Sequence, residues 1–298
     1  MKDSLTEFGY ILGWRVTRLM PEQLAAAVFR AGADKAYASN GRGVQQLRRN
    51  LRRVVGPTPS PDELDALTKD AMRSYARYWL EAFRLPSYST RQLRDRFRFD
   101  HWDVLARNRE QGLGTIIALA HSGNWDLAGA AAGVRGWSVV TVAERLKPEG
   151  VYQKFLKFRR GLGMEILPYG GGEGETMAVL EQRLRDRSVV PLLADRDMSG
   201  KGVEAKFFGE TITMPAGPAM LAMRTRSPLY TLVLHNDGPK HSGGVLEGPI
   251  EIPTDGDMST RIAAITQSIA DNFAAKIAQQ PQDWHMLQRL WLSDMPTE

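Results

Sequence analysis

Five short apolar runs set the strongest limit on the fold: Thr115–Ala120, Ser138–Ala143, Glu165–Pro168, Val189–Ala194 and Tyr230–Leu234. The intervals between the first four are of helical length and period. Strands that alternate with helices cross over and pair in parallel. The pattern therefore predicts an α/β fold, a largely parallel central sheet flanked by helices. Ahead of it, from Leu5 to about Leu85, the reading is helical, interrupted at Pro21, Pro57, Pro59 and Pro61. Pro61 to Phe83 reads as one long helix, and Ile262 to Ala278 as a C-terminal one. A chain of 298 residues can build this around one core. We expect a single domain over 1–298, with 1–100 as an α-helical preface and 101–298 as the α/β core.

Charge follows the same division. Residues 1–100 hold 18 Lys/Arg against 11 Asp/Glu, so the net charge of +5 comes from the preface. Its densest part, Arg42, Arg48, Arg49, Arg52 and Arg53, suits lipid or nucleic-acid phosphate, or equally a solvated helix face. In the first helix Leu5, Phe8, Leu12, Val16 and Leu19 form a stripe that can pack inward. Tyr10 and Trp14 then project on the other side, flanked by Arg15 and Arg18, a mixture that suits a lipid headgroup layer. Packing against another part of the protein is the alternative. No run approaches the roughly 20 apolar residues that span a bilayer, and no signal-peptide core opens the chain, so a soluble or peripheral protein is expected. The absence of cysteine excludes disulfides and thiol nucleophiles.

The segment from Gly114 to Asp126 reads as strand, tight turn and helix start, with reactive groups at the strand's carboxyl end, where open α/β sheets bind ligands. Asn124 can cap the helix, and Gly123 lets the turn fold back so that His121 and Asp126 meet. A neutral imidazole can take a proton from an alcohol while a carboxylate fixes its tautomer. Asp195 emerges from Val189–Ala194 as His121 does from Ala120, so it can approach the imidazole from a neighbouring strand. There is no Gly-x-Ser-x-Gly elbow, and the five histidines lack His-x-x-x-His zinc spacing. The run Gly170-Gly-Gly-Glu-Gly174 lacks the Gly-Lys-Ser/Thr ending of a phosphate loop and carries acidic neighbours, so it reads as a connection.

The hexapeptide His121-Ser-Gly-Asn-Trp-Asp126 resembles the His-x4-Asp motif of glycerolipid-type acyltransferases. It is closer still to the His-x-x-Asn-Trp-Asp/Glu form of the bacterial lipid A lauroyl/myristoyl acyltransferase family. Further blocks resemble that family in order: Phe158-Arg-Arg160, Ala194-Asp-Arg-Asp197, Phe207-Phe-Gly209 and Met214-Pro-Ala-Gly-Pro218. Val142-Ala-Glu-Arg-Leu-Lys-Pro-Glu149 and Asp283-Trp-His-Met-Leu-Gln288 are similar to the actinobacterial phosphatidylinositol mannoside acyltransferase branch.

The resemblance implies a glycerolipid acyltransferase-like fold. It also implies transfer of a long fatty acyl group, palmitoyl for preference, from acyl-CoA to a mannose hydroxyl of phosphatidylinositol mannoside, without an acyl-enzyme. It puts Asp126 first as partner of His121, and Asp195, placed by its strand end, is then expected as a second relay group. Arg159, one turn after Phe155 on the helix beginning near Pro148, can reach an anionic headgroup phosphate or form a surface ion pair. Glu144, Arg145 and His285 are implied as ligands for sugar hydroxyls or phosphate. No metal or redox cofactor is implied, acyl-CoA being a substrate. The partners are acyl-CoA, the mannoside and an anionic membrane surface, at the cytoplasmic face of the cell's inner membrane, and not nucleic acid. A tail of roughly 15 methylenes could contribute on the order of 10 kcal/mol if buried, so a long apolar channel is expected. Two other readings stay open: lipid A acylation from acyl carrier protein, and a catalytically silent lipid-binding protein.

Overall fold

The computed structural model describes residues 13–143, 149–168 and 173–295. All five expected strands are present: β2 (Thr115–Leu119), β3 (Val139–Ala143), β4 (Met164–Pro168), β5 (Val189–Leu193) and β8 (Leu229–Asp237). They pair in parallel. Two further strands extend the sheet: β9 (His241–Glu247), antiparallel to β8, and β1 (Phe97–Arg98), parallel to β9. The sheet has seven strands in the order β1-β9-β8-β2-β5-β3-β4, and β6 (Val203–Phe207) with β7 (Glu210–Met214) forms a separate hairpin.

Among the described residues eleven helices flank these strands: α1 (described over 13–19), α2 (Glu22–Ala38), α3 (Arg42–Val55), α4 (Pro61–Arg84), α5 (Thr90–Arg96), α6 (Trp102–Glu110), α7 (Trp125–Gly133), α8 (Glu149–Gly161), α9 (Glu173–Arg185), α10 (Gly217–Thr225) and α11 (Met258–Ile277). The long α4 starts where the sequence supplies a capping box. Ser60 accepts from the Glu63 amide, the Glu63 carboxylate accepts from the Ser60 amide, and Pro61 stands at the first helical position.

The central strand β2 is buried on both faces. Ile116, Ala118 and Ala120 pack with Leu184 of α9, Leu221 of α10 and Ile269 and Phe273 of α11. Ile117 and Leu119 pack on the other face with Leu127 of α7 and Phe155 and Phe158 of α8. A strand covered on both faces has to be apolar throughout, which is why these runs stand out in the sequence.

The helical preface is tied into the core. Asn50 donates to the Met286 and Gln288 carbonyls at 2.7 and 2.9 Å, and Phe97–Arg98, inside the first hundred residues, supplies the edge strand. Two expectations for the preface need correction. Much of the arginine cluster is used within the protein. Arg48 pairs with Asp65, Arg53 with Glu210 and Asp294, and Arg52 donates to the Gly56 and Pro59 carbonyls. The orientation of the first helix is reversed as well. Trp14 donates its indole N–H to the Phe83 carbonyl at 2.9 Å and packs on Phe83, Phe155 and Phe158, while Val16 and Leu19 are 46% and 86% exposed. One indole buries more area than Val and Leu and finds an acceptor for its N–H, so it takes the inner place. Leu5, Phe8, Tyr10 and Leu12 lie outside the described residues. No helix among the described residues is long and apolar enough to cross a membrane.

Candidate active site

Parallel pairing of β2 with β5 sets Leu119 opposite Leu193, so His121 and Asp195, each two residues further on, leave the sheet side by side. His121 Nδ1 lies 2.5 Å from Asp195 Oδ1, and Asp195 Oδ2 accepts from the His121 amide and from Trp284 Nε1, both at 2.9 Å. An ionised carboxylate only accepts, so Nδ1 carries the proton and Nε2 is left with its lone pair. The carboxylate is fully buried, whereas the imidazole is 25% exposed, with Trp125 edge-on at 5.8 Å. Burial alone would raise the pKa of Asp195. Electrostatic attraction to the His121 ring and the three N–H donors outweigh it and hold the carboxyl below its ordinary value.

Gly123 makes the turn possible. Its φ is +53°, and an added Cβ would lie 2.8 Å from the backbone of Leu234. The C-terminal segment then seals the turn. The Gly123 amide donates to the Asp283 carbonyl at 2.9 Å, the His285 amide to the His121 carbonyl at 2.7 Å, and Ser122 bridges to Trp284. The Asp283-Trp-His block is thus the other side of the His121 loop. Asn124 caps α7 as expected, accepting from the Leu127 amide at 2.9 Å, and donates to buried Glu81 of α4 at 2.8 Å. Nothing in the sequence marked Glu81 or Tyr78 of α4 for this role.

Asp126 is not the partner of His121. Its carboxylate, 1% exposed, receives Arg159 Nε at 2.7 Å and a second guanidinium nitrogen at 3.2 Å, and accepts from the Tyr78 hydroxyl at 3.0 Å. It stands on the first turn of α7, facing α4 and α8 and away from β5, so the turn cannot bring it to the imidazole. The same geometry corrects Arg159. It is not a surface ion pair: two nitrogens of its guanidinium are held by the buried Asp126 carboxylate, and its side chain is 19% exposed. Burial would lower the Arg159 pKa, but attraction to Asp126 outweighs it and the pKa rises, while burial beside Asp126 drives the Tyr78 pKa well up.

His285 is brought to the turn but buried at 5% exposure, with Nε2 2.9 Å from Ser74 Oγ, so it has little surface to offer a sugar. Ser74 in turn donates to Asp283 at 2.6 Å, which makes Nε2 the donor in this chain, and Nδ1 has no hydrogen-bond partner among the described residues. Burial, with repulsion from His121, lowers the His285 pKa to about 3. Glu144 and Arg145, like most of the glycine run from Gly170, lie outside the described residues.

A partly exposed imidazole, backed by a buried carboxylate at the carboxyl edge of a parallel sheet, is equipped to take a proton from an alcohol that attacks an acyl donor. The comparisons agree with that class. The profile of the bacterial lipid A biosynthesis acyltransferase family matches residues 2–293, and the chain belongs to that family, making it an O-acyltransferase. It is 45% identical over 295 residues to the phosphatidylinositol mannoside acyltransferase of Mycolicibacterium smegmatis, covering 99% of this chain and 94% of that one. It is 43% identical over 297 residues to the phosphatidylinositol mannoside acyltransferase of Mycobacterium tuberculosis, covering 98% and 90%.

Proposed function

We propose that this enzyme transfers a long-chain acyl group, palmitoyl for preference, from acyl-CoA to a mannose hydroxyl of a phosphatidylinositol mannoside. The observation that carries the mechanism is the His121 ring, held through Nδ1 by Asp195 and 25% exposed. Nε2 takes the proton of the mannose hydroxyl as its oxygen attacks the thioester carbonyl. The tetrahedral adduct collapses with cleavage of the C–S bond, and the imidazolium returns the proton to the departing thiolate. Asp195 stabilises the imidazolium between these steps, and the alcohol attacks directly without an acyl-enzyme. The thioester is already activated, so no redox or nucleotide cofactor is needed.

The full-length similarity to the mycobacterial enzymes supports the mannoside acceptor. The aromatic wall beside the imidazole, Trp125 on Tyr78 at 4.3 Å and Tyr78 on Trp79 at 5.2 Å, supports a long apolar donor chain. Exposed Val16, Leu19, Leu24 and Val28 on α1 and α2 support peripheral binding at a membrane surface, for which the cytoplasmic face is our proposal.

Thiol release from palmitoyl-CoA with purified mannoside acceptor tests the reading, with mass spectrometry of the product. His121→Ala should melt near the wild type and lose about 10³-fold in turnover. Near wild-type turnover in that variant would remove His121 from the chemistry. Transfer from acyl carrier protein with none from acyl-CoA would replace the donor.

A further inference from the structure

One face of α4 lies against the His121 loop, and the transfer reaction assigns it no task. Ser74, Tyr78 and Glu81 follow one another at spacings of four and three, which sets them in a row along the helix. Ser74 donates to Asp283, whose carbonyl accepts the Gly123 amide, and Tyr78 donates to Asp126. Glu81 receives Asn124, the last residue before α7. Its side chain is 8% exposed and stands between two donors, Asn124 Nδ2 at 2.8 Å and Arg77 Nε at 2.7 Å. Arg77 is held in turn by the Gly238 and His241 carbonyls, where β8 turns into β9, at 2.6 and 2.8 Å. Glu81 is therefore a buried acid with both oxygens engaged and a fixed place.

A carboxylate paired with a guanidinium only accepts, so Glu81 decides which way the Asn124 amide points. Nδ2 has to face Glu81, and Oδ1 is then turned to the Leu127 amide, which it caps at 2.9 Å. Asn124 is 1% exposed, so an amide pointing the other way would set its NH2 against the Leu127 N–H and leave the Glu81 oxygen unmatched. The segment from His121 to Asn124 is thus fastened at both ends. The His121 amide is on Asp195 at 2.9 Å, and the Asn124 side chain is between Glu81 and Leu127.

We propose that Glu81 is a positioning residue for His121: by fixing the Asn124 amide it sets where α7 begins, and so where the loop holds the imidazole. This rests on the reading of His121 as the base, and Glu81 acts on transfer through aim, without touching substrate. A displacement of about 1 Å at a reacting group costs on the order of 10²-fold in rate. Reversing the polarity of the Glu81–Asn124 bond in the full chain tests the proposal. In Glu81→Gln the Arg77 N–H keeps the amide oxygen, so two NH2 groups meet and Asn124 has to turn over and release Leu127. Asn124→Asp alone sets two carboxylates together. Glu81→Gln/Asn124→Asp restores the bond with donor and acceptor exchanged, because the new aspartate accepts from the new glutamine and from Leu127 alike. Each single variant should lose at least about ten-fold in turnover with unchanged Michaelis constants, and the double variant should return to within about three-fold of the wild type. Asp34→Asn, which breaks the α2–α4 ion pair with Arg73, should leave turnover unchanged. Hydrogen exchange at the Leu127 amide, followed by NMR, reads the cap without catalysis: at least about ten-fold faster in Glu81→Gln, and at the wild-type rate in the double variant. If Glu81→Gln does not fold, the gain from Asn124→Asp to the double variant reads the same bond. Near wild-type turnover in His121→Ala would remove the base and leave the exchange result standing, so the two failures are told apart. Wild-type turnover in Glu81→Gln, Michaelis constants that shift as much as turnover, or a double variant no better than its parents would each overturn the proposal.

Discussion

Two buried aspartates lie on either side of the His121 loop, and they have opposite surroundings. Asp195 faces N–H groups from a loop, a ring and an indole, and one of those groups, the imidazole, is 25% exposed. Asp126 faces a guanidinium and a phenol, both of which spend their donors on its own carboxylate. The first arrangement can pass on a proton. The second fastens α7 to α4 and α8. Sequence distance points the wrong way: Asp126 is five residues from the histidine and Asp195 seventy-four. Parallel pairing between strands, not the local turn, decides which carboxylate reaches the ring.

The largest expected effects separate these two roles. Asp126→Ala leaves Arg159 buried without its counter-charge and should destabilise the fold by about 3–5 kcal/mol in urea unfolding. Transfer should be lost only in proportion to the unfolded fraction. Turnover falling about 10³-fold at an unchanged unfolding midpoint would break the comparison and return Asp126 to the chemistry. Asp195→Asn keeps size and most acceptor capacity but cannot hold the productive tautomer. It should cost about 10²-fold or more in turnover, with a melting shift smaller than that of Asp126→Ala. Full activity in Asp195→Asn would reduce it to a structural group.

The sheet was legible because a strand buried on both faces carries an uninterrupted apolar run, as Thr115–Leu119 does. Strand β9 was not, since its Ser-Gly-Gly centre has neither β-branching nor alternation, and the β6–β7 hairpin is half polar along its length. Of the site, His121, its capped turn and the approach of Asp195 followed from strand ends and turn chemistry. Tyr78, Glu81 and the Trp284 donor did not, because contacts between α4, the C-terminal segment and the turn are set by tertiary packing, which leaves no local pattern. Arg159 failed for a related reason. A residue at the edge of an amphipathic stripe can turn out or in, and only the buried acid on α7 decides it.

The two histidines of the loop extend the comparison to pH. The lowered pKa of His285, about 3 against an unfolded value of 6.5, means that the folded state keeps it neutral while the unfolded chain takes up a proton. Its contribution is therefore present above about pH 6.5 and is lost as pH falls toward 3, amounting to about 2 kcal/mol of lost stability at pH 5. His285→Gln keeps a donor to Ser74 and removes the titration, so its unfolding free energy should change less between pH 7 and pH 5. Equal slopes in variant and wild type would mean that the ring is hydrated in the folded state.

The smallest effect concerns Trp284, which touches the chemistry only through Asp195. Its indole N–H is one of three donors to that carboxylate, and its ring, fully buried, packs on Phe207 and Trp291 at 5.8 and 6.1 Å. Trp284→Phe preserves an aromatic ring there but removes the donor, leaving Oδ2 with the His121 amide alone. A hydrogen bond to a charged group contributes roughly 1.5–3 kcal/mol, part of which appears as lost stability and part as a carboxylate less firmly aimed at Nδ1. We expect turnover to fall about ten-fold with the Michaelis constants unchanged, since the indole is enclosed away from any substrate. Repacking alone would give a similar loss in any background. A loss transmitted through the carboxylate should nearly vanish once that carboxylate is neutral. Trp284→Phe in the Asp195→Asn background is the decisive measurement: groups acting through one carboxylate lose activity non-additively, whereas a full further ten-fold loss would assign Trp284 to packing and leave the His121 amide as the support of Oδ2.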